Sequence, residues 1–139
     1  VGGMGHTASL TLGVSLKSKK QNICLDGDGS LLMHTGSLGL AKKFGGKKFK
    51  YILLRNNSHE SVGDQTTNSN HINFKLLCKS FGFSSYFLIN EKKNLKSVLK
   101  RFINCLGPAF LEVRIKSGSI KNLSRPKNLK MIKKKFMLG

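Results

Sequence analysis

The chain has 139 residues and a formal net charge of +19, with 25 Lys and Arg against six Asp and Glu. That length is one domain, enough to bury roughly two-thirds of the surface its unfolded form exposes. No apolar run approaches the roughly 20 residues a membrane-spanning helix needs, and no signal-peptide pattern opens the chain.

The charge suggests nucleic acid as a partner, but the details point elsewhere. Lys outnumbers Arg by 21 to 4, and the basic residues are spread over most of the chain. Aromatics do not interleave with them as base-stacking platforms would. The excess is read as a solvated surface. Cys24, Cys78 and Cys105 lie far apart in no metal-binding spacing and inside apolar segments, which reads as buried free thiols in a reducing cytoplasm. The chain opens on "VGGMGH", within a glycine-rich turn and without an initiator Met; a fragment or one piece of a larger assembly is the expectation.

Taken in order, residues 6–16 predict a helix with Ala8, Leu12 and Leu16 on its apolar stripe, broadened by Leu10 and Val14. Residues 22–27, "NICLDG", are a short buried strand. Residues 30–44 predict one helix burying Leu31, Met33, Leu38 and Leu40. Residues 49–54, "FKYILL", form the continuous apolar run that parallel sheets use. A long, structureless polar loop follows from Arg55 to Asn70, and such loops in small domains tend to be functional. Residues 72–82 predict a helix closed by Gly82, 84–89 a strand, 90–107 a helix ended by Gly107 and Pro108, and 109–115 a last strand. The tail, 116–139, is basic and shows no clear periodicity. Strand and helix alternate, so the fold class is α/β: a mostly parallel sheet with helices on both faces, residues 1–115 forming the domain and 116–139 its basic C-terminal tail.

Two of the three aspartates, Asp26 and Asp28, sit in the glycine-flanked turn "LDGDGS" directly after a strand. Ligands of open α/β sheets bind at the carboxyl ends of the strands. Glycines there let a backbone approach closely, and free N–H groups favour an anion. A carboxylate in the same place would repel a phosphate unless a cation lay between them, so Asp28 reads as a ligand of Mg²⁺ bridging to a phosphate group. Asp26 reads as structural. The next strand ends in further oxygen donors, Asn56 and Asn57, within reach of the same ion if the strands are adjacent.

The stretches "GGMGH", "LDGDGSLLMHTGSL", "NNSHESVGDQTT" and "LEVRIKSGSIKNLSRP" resemble the C-terminal diphosphate-binding domain of phosphonopyruvate decarboxylase, a thiamin diphosphate enzyme, with sulfopyruvate decarboxylase as near neighbour. The resemblance covers nearly the whole chain; "GDG" speaks for the cofactor, while "HESVG" and "QTT" lean toward the phosphonate enzyme. It implies a thiamin diphosphate fold with Mg²⁺ held by Asp28, Asn56 and the backbone carbonyl of Ser58; a one-residue shift of the alignment would put Asn57 in place of Asn56. Gly29 and Ser30 would contact the diphosphate. The turn of Gly2 and Gly3 would offer a carbonyl to the aminopyrimidine, and Met4 would be the apolar wedge that keeps the cofactor bent. His6 and His59, beside these motifs, are candidates for orienting or protonating a reacting group.

The implied activity is decarboxylation of a 2-oxo acid, 3-phosphonopyruvate to phosphonoacetaldehyde and CO₂. Activity in such enzymes also needs a Glu from a pyrimidine-binding domain, and Glu60, Glu91 and Glu112 fall in no such motif. The chain is therefore expected to hold half a site, completed by another domain or subunit in an oligomer. Arg55, Asn57 and Asp64 stand where the family pattern has Asn, Gly and Gly. The competing readings are the beta-type subunit of a sulfopyruvate decarboxylase, and an inactive or nucleic-acid-binding basic domain.

Overall fold

Along the segment from Phe49 to Arg55 the side chains alternate between two apolar layers, as a strand covered on both faces requires. Phe49, Tyr51 and Leu53 enter one layer, and Ile52 enters the other. The computed structural model describes residues 3–118, 122, 124 and 126–138.

Four strands, β1 (Asn22–Gly27), β2 (Phe49–Arg55), β3 (Ser85–Ile89) and β4 (Ala109–Arg114), form one sheet in the order β1-β2-β4-β3. All neighbours are parallel. Helices α1 (Thr7–Ser15), α2 (Asp28–Met33), α3 (Phe74–Ser80), α4 (Leu95–Asn104) and α5 (Leu129–Leu138) complete the architecture. One face is covered by α1, α2 and α3 through Ala8, Leu12, Leu31, Phe74 and Cys78, which pack on Cys24, Tyr51 and Phe110. The other is covered by α4, whose Phe102 seals Ile89, Ala109 and Leu111. The Tyr51 and Phe110 rings stack at 5.0 Å between neighbouring strands, so the two central strands are locked in register by an aromatic pair.

Several expectations need correcting. The helix expected over 30–44 begins at Asp28 and ends at Met33, giving way to 3-10 turns (Thr35–Leu40), a π-turn (Ala41–Gly45) and a further 3-10 turn (Gly46–Lys48). The Thr35 hydroxyl donates to the Leu31 carbonyl at 3.0 Å, in competition with the helical ladder, and four glycines follow before β2. The changed path leaves Met33 and Leu40 exposed, while Leu38 and Ala41 are buried. Leu16 is exposed too, as α1 stops at Ser15. The loop 55–70 is not structureless: Ser58 and Thr66 form an antiparallel bridge, and Glu60–Val62 and Ser69–His71 are 3-10 turns. Cys105 is half-buried, whereas Cys24 and Cys78 are buried. The tail contains α5, whose Leu129, Ile132 and Phe136 recur at helical spacing among lysines.

Candidate functional site

In the parallel register Gly27 lies opposite Leu54, so the residues just past β1 and β2 reach the same edge of the sheet, at their carboxyl ends. There a cavity of about 330 Å³ is lined by Met4, Asp28, Gly29, Ser30, Asn56, Ser58 and His59, among others. Four segments distant in sequence thus converge: the turn before α1, the start of α2, the end of β2 with the loop after it, and Ile115 just past β4.

Asp28 is 1% exposed. Its Oδ2 accepts three hydrogen bonds, from the Asn57 backbone N–H at 2.9 Å, the Thr67 hydroxyl at 2.8 Å and the Ser69 hydroxyl at 2.5 Å. Among the described residues no donor reaches its Oδ1. One oxygen is fixed by the protein, and the other has no protein donor among those residues. A buried carboxylate needs such compensation, and a cation supplies it at the free oxygen.

Asn56 and Ser58 line the cavity, and the Asn56 Oδ1 accepts the Ser58 N–H at 3.1 Å in a tight local turn. Asn57 points elsewhere. Its Oδ1 accepts from Arg55 Nε at 3.1 Å and lies 2.7 Å from the Ser69 hydroxyl oxygen, whose single proton goes to Asp28. Asn57 and Asp64 both have left-handed backbones, at φ 60° and 63°, a conformation glycine adopts freely and Asn and Asp tolerate. The Asp64 carboxylate accepts from the Ser58 hydroxyl.

Two glycines, Gly29 and Gly5, are required by their surroundings or backbone, whereas a Cβ on Gly27 would meet nothing within 4 Å. A Cβ on Gly29 would lie 2.4 Å from the His59 imidazole, so the ring covers the turn only because residue 29 has no side chain. Gly5 has φ 87°, and its N–H donates to the Ser30 hydroxyl at 2.8 Å. That bond ties the turn carrying Gly3 and Met4 to the start of α2. Met4 lies on the cavity wall; Gly3 is exposed, and Gly2 lies outside the described residues. His6 is exposed and stacks on His34 at 4.6 Å, and it is not part of the cavity wall. Asp26, by contrast, is turned into the sheet, where it accepts the Tyr51 hydroxyl at 2.7 Å and the Gly27 N–H at 3.0 Å.

Thr67, Ser69 and Glu60 belong to the site although the sequence did not single them out. The Glu60 carboxylate accepts from Asn56 Nδ2 at 3.0 Å and lines the cavity. Thr67 lay within "QTT" with no role given to it, and the signal for Ser69 was only a run of hydroxyls in a long loop. Among the described residues no group of three or more His, Cys, Asp and Glu is placed to hold a metal ion. A set of one carboxylate, one amide and one backbone carbonyl is instead the hard, oxygen-only kind that suits Mg²⁺ together with phosphate oxygens. The residues fit a metal-bridged diphosphate. Another hollow, about 460 Å³ between α1, β1 and α5, carries no ionisable side chain.

A parallel sheet with a cavity at its carboxyl edge, lined by Asp28, Asn56 and Ser58 as well as apolar residues, defines an α/β domain suited to a metal-bridged anion. Residues 1–113 match the family described as "Thiamine pyrophosphate enzyme, C-terminal TPP binding domain", and the chain belongs to that family. The chain is 31% identical over 127 residues to a phosphonopyruvate decarboxylase of Streptomyces viridochromogenes, covering 91% of this chain and 32% of that protein. It is 30% identical over 119 residues to the beta subunit of sulfopyruvate decarboxylase of Methanothermobacter thermautotrophicus, covering 86% of this chain and 62% of that subunit. The chain thus spans about a third of the length of the phosphonopyruvate decarboxylase it matches. A solved structure of a candidate thiamin diphosphate-dependent enzyme from Mycobacterium smegmatis matches with a TM-score of 0.69 at 20% identity, over 84% of this chain and 23% of that one; this likeness concerns the fold alone.

Proposed function

We propose that this chain is the diphosphate- and Mg²⁺-binding part of a thiamin diphosphate-dependent decarboxylase acting on a 2-oxo acid, 3-phosphonopyruvate, with phosphonoacetaldehyde and CO₂ as products. The observation that carries the reading is Asp28: a buried carboxylate with one oxygen clamped by three donors and the other free at a cavity that Asn56 and Ser58 also line. The substrate follows the relatives named phosphonopyruvate decarboxylase.

In this reading Asp28 Oδ1, the Asn56 amide oxygen and the Ser58 carbonyl hold Mg²⁺, and Gly29 and Ser30 meet the diphosphate. By the resemblance, Gly2 and Gly3 would meet the aminopyrimidine, and Met4, on the cavity wall, would pack against the cofactor. The cofactor, when bound, supplies the electron sink for the pair left behind as CO₂ departs. His59, lying over Gly29 at the cavity wall, is the candidate to orient or move a proton there. His6, stacked on His34 and outside the cavity wall, is the second candidate for that role.

The site is completed by a pyrimidine-binding domain of the same protein or of a partner subunit, in a homo- or hetero-oligomer. The partial coverage of the relatives supports this, and the relatives named as beta subunits support a division between chains. Those subunits also favour a second reading, with sulfopyruvate as substrate. Among the described residues no helix is long and apolar enough to cross a membrane, and the free thiols suit a reducing cytoplasm.

The test is to assay CO₂ release from 3-phosphonopyruvate and from sulfopyruvate, with this chain alone and with its pyrimidine-binding part. Turnover of the phosphonate only when both parts are present is expected. Preference for sulfopyruvate would move the substrate assignment, and turnover by this chain alone would overturn the half-site.

A further inference from the structure

Lys50 lies in the central strand β2 and is 0% exposed, an unusual position for a lysine. Among the described residues no carboxylate pairs with it. Its Nζ instead donates to the Cys105 carbonyl at the end of α4, lies 5.5 Å from the centre of the Phe102 ring, and stands 3.0 Å from the Cys105 Sγ. The helix carbonyl and the ring supply part of the compensation a buried ammonium needs. They also fix the amine against the sulfur.

We propose that Lys50 and Cys105 form a redox-sensitive pair, in which oxidation joins Nζ to Sγ in a covalent sulfur–nitrogen link. A peroxide is the oxidant. Its O–O bond breaks as the Cys105 sulfur takes one oxygen, giving the sulfenic acid and one water, with sulfur oxidised and peroxide reduced. The Lys50 ammonium releases a proton to solvent, and the neutral amine attacks the sulfur. The N–S bond forms as the S–O bond breaks, and hydroxide leaves with the second amine proton as water. Two external thiols reverse the link, reducing it to amine and thiol while becoming a disulfide.

The rest of the molecule makes the chemistry selective. Burial pushes the Cys24 thiol up to about 12 and raises that of Cys78 as well, so neither forms the reactive thiolate readily. Cys105 is half-buried, giving an oxidant a path, and an amine is already in place to capture the product. The link would join the amino end of β2 to the end of α4, closing 55 residues of chain at the edge of the sheet opposite Asp28 and Asn56. It would restrict unfolding without touching the cavity.

Peroxide treatment followed by intact mass under non-reducing, denaturing conditions tests this. The expected product is lighter by two hydrogens, yields a joined peptide containing Lys50 and Cys105, melts at higher temperature, and reverts with dithiothreitol. Cys105→Ser should abolish the product while circular dichroism stays unchanged, and Lys50→Arg should leave a sulfenic acid that dimedone traps. Oxidation of Cys105 in the unsubstituted protein with Lys50 still free, or no oxidation of Cys105, would overturn the proposal.

Discussion

The carboxylate of Asp28 and the backbone N–H of Asn57 meet at 2.9 Å, joining the end of β1 to the end of β2 at the cavity. The parallel register delivers both residues to one edge, and the Thr67 and Ser69 hydroxyls close on the same oxygen from the following loop. One carboxylate oxygen is structural and the other faces the cavity. That division of labour has measurable consequences.

Removing the loop's grip should loosen the ligand without destroying it. Outer partners that orient a metal ligand are worth roughly 10–100-fold in metal affinity. Ser69→Ala and Thr67→Val are each expected to weaken Mg²⁺-dependent cofactor binding about tenfold, and to lower stability by about 1 kcal/mol through one lost hydrogen bond. Calorimetric titration and urea unfolding read the two effects separately.

Gly29→Ala should act on the site and Gly13→Ala on the fold. A Cβ at position 29 would meet the His59 ring at 2.4 Å, so the ring must swing away and cofactor affinity should fall. At Gly13, inside α1, a Cβ would meet nothing within 4 Å. There alanine should stabilise the chain by roughly 0.5–1 kcal/mol through the lower entropy of its unfolded state. Thermal melts of the two variants should shift unequally, only position 13 rising.

Tyr51→Phe separates the two aspartates. It removes the donor 2.7 Å from Asp26 and leaves a buried carboxylate oxygen short of a partner, at a cost of about 1–3 kcal/mol. Cofactor affinity should stay as it was. Loss of binding with stability unchanged would mean that Asp26, too, serves the ligand.

Glu112 sets the acid limb of stability. Burial pushes its carboxyl upward, but donors from Tyr86, Arg55 and Arg114 outweigh that and hold it below the ordinary carboxylate value. A carboxyl lowered in the folded state contributes stability that is complete above its unfolded value, about 4.3 for Glu. The contribution is lost as pH falls through the folded value. Melting temperature against pH should therefore decline below about pH 5 in the unsubstituted chain, and Glu112→Gln should flatten that decline.

The strands were legible because β2 and β4 read as mostly apolar runs, interrupted by Lys50 and Glu112, between glycine- and proline-marked turns, and the helices over α3 and α4 kept their period. The segment after α2 was not, because its leucines fit a helical stripe while Thr35 and the glycines broke the ladder. Helix α5 was hidden by lysines that mask its apolar spacing. In the site, Asp28, whose role toward a cation belongs to the proposal, was legible in its place at the carboxyl edge of the sheet from the glycine turn that follows a strand. Thr67 and Ser69 were not, for hydroxyls in a loop carry no direction until the chain folds back. Lys50 was hidden inside "FKYILL", where its neighbours declared the strand and nothing declared its partner.

The most direct test of the account is a calorimetric titration of thiamin diphosphate into the protein and its Asp28→Asn variant, each with and without Mg²⁺. The account predicts binding to the unsubstituted protein only when Mg²⁺ is present, and loss of that binding in the variant with circular dichroism unchanged. Binding that is equally strong without the metal, or undiminished by Asp28→Asn, would contradict it.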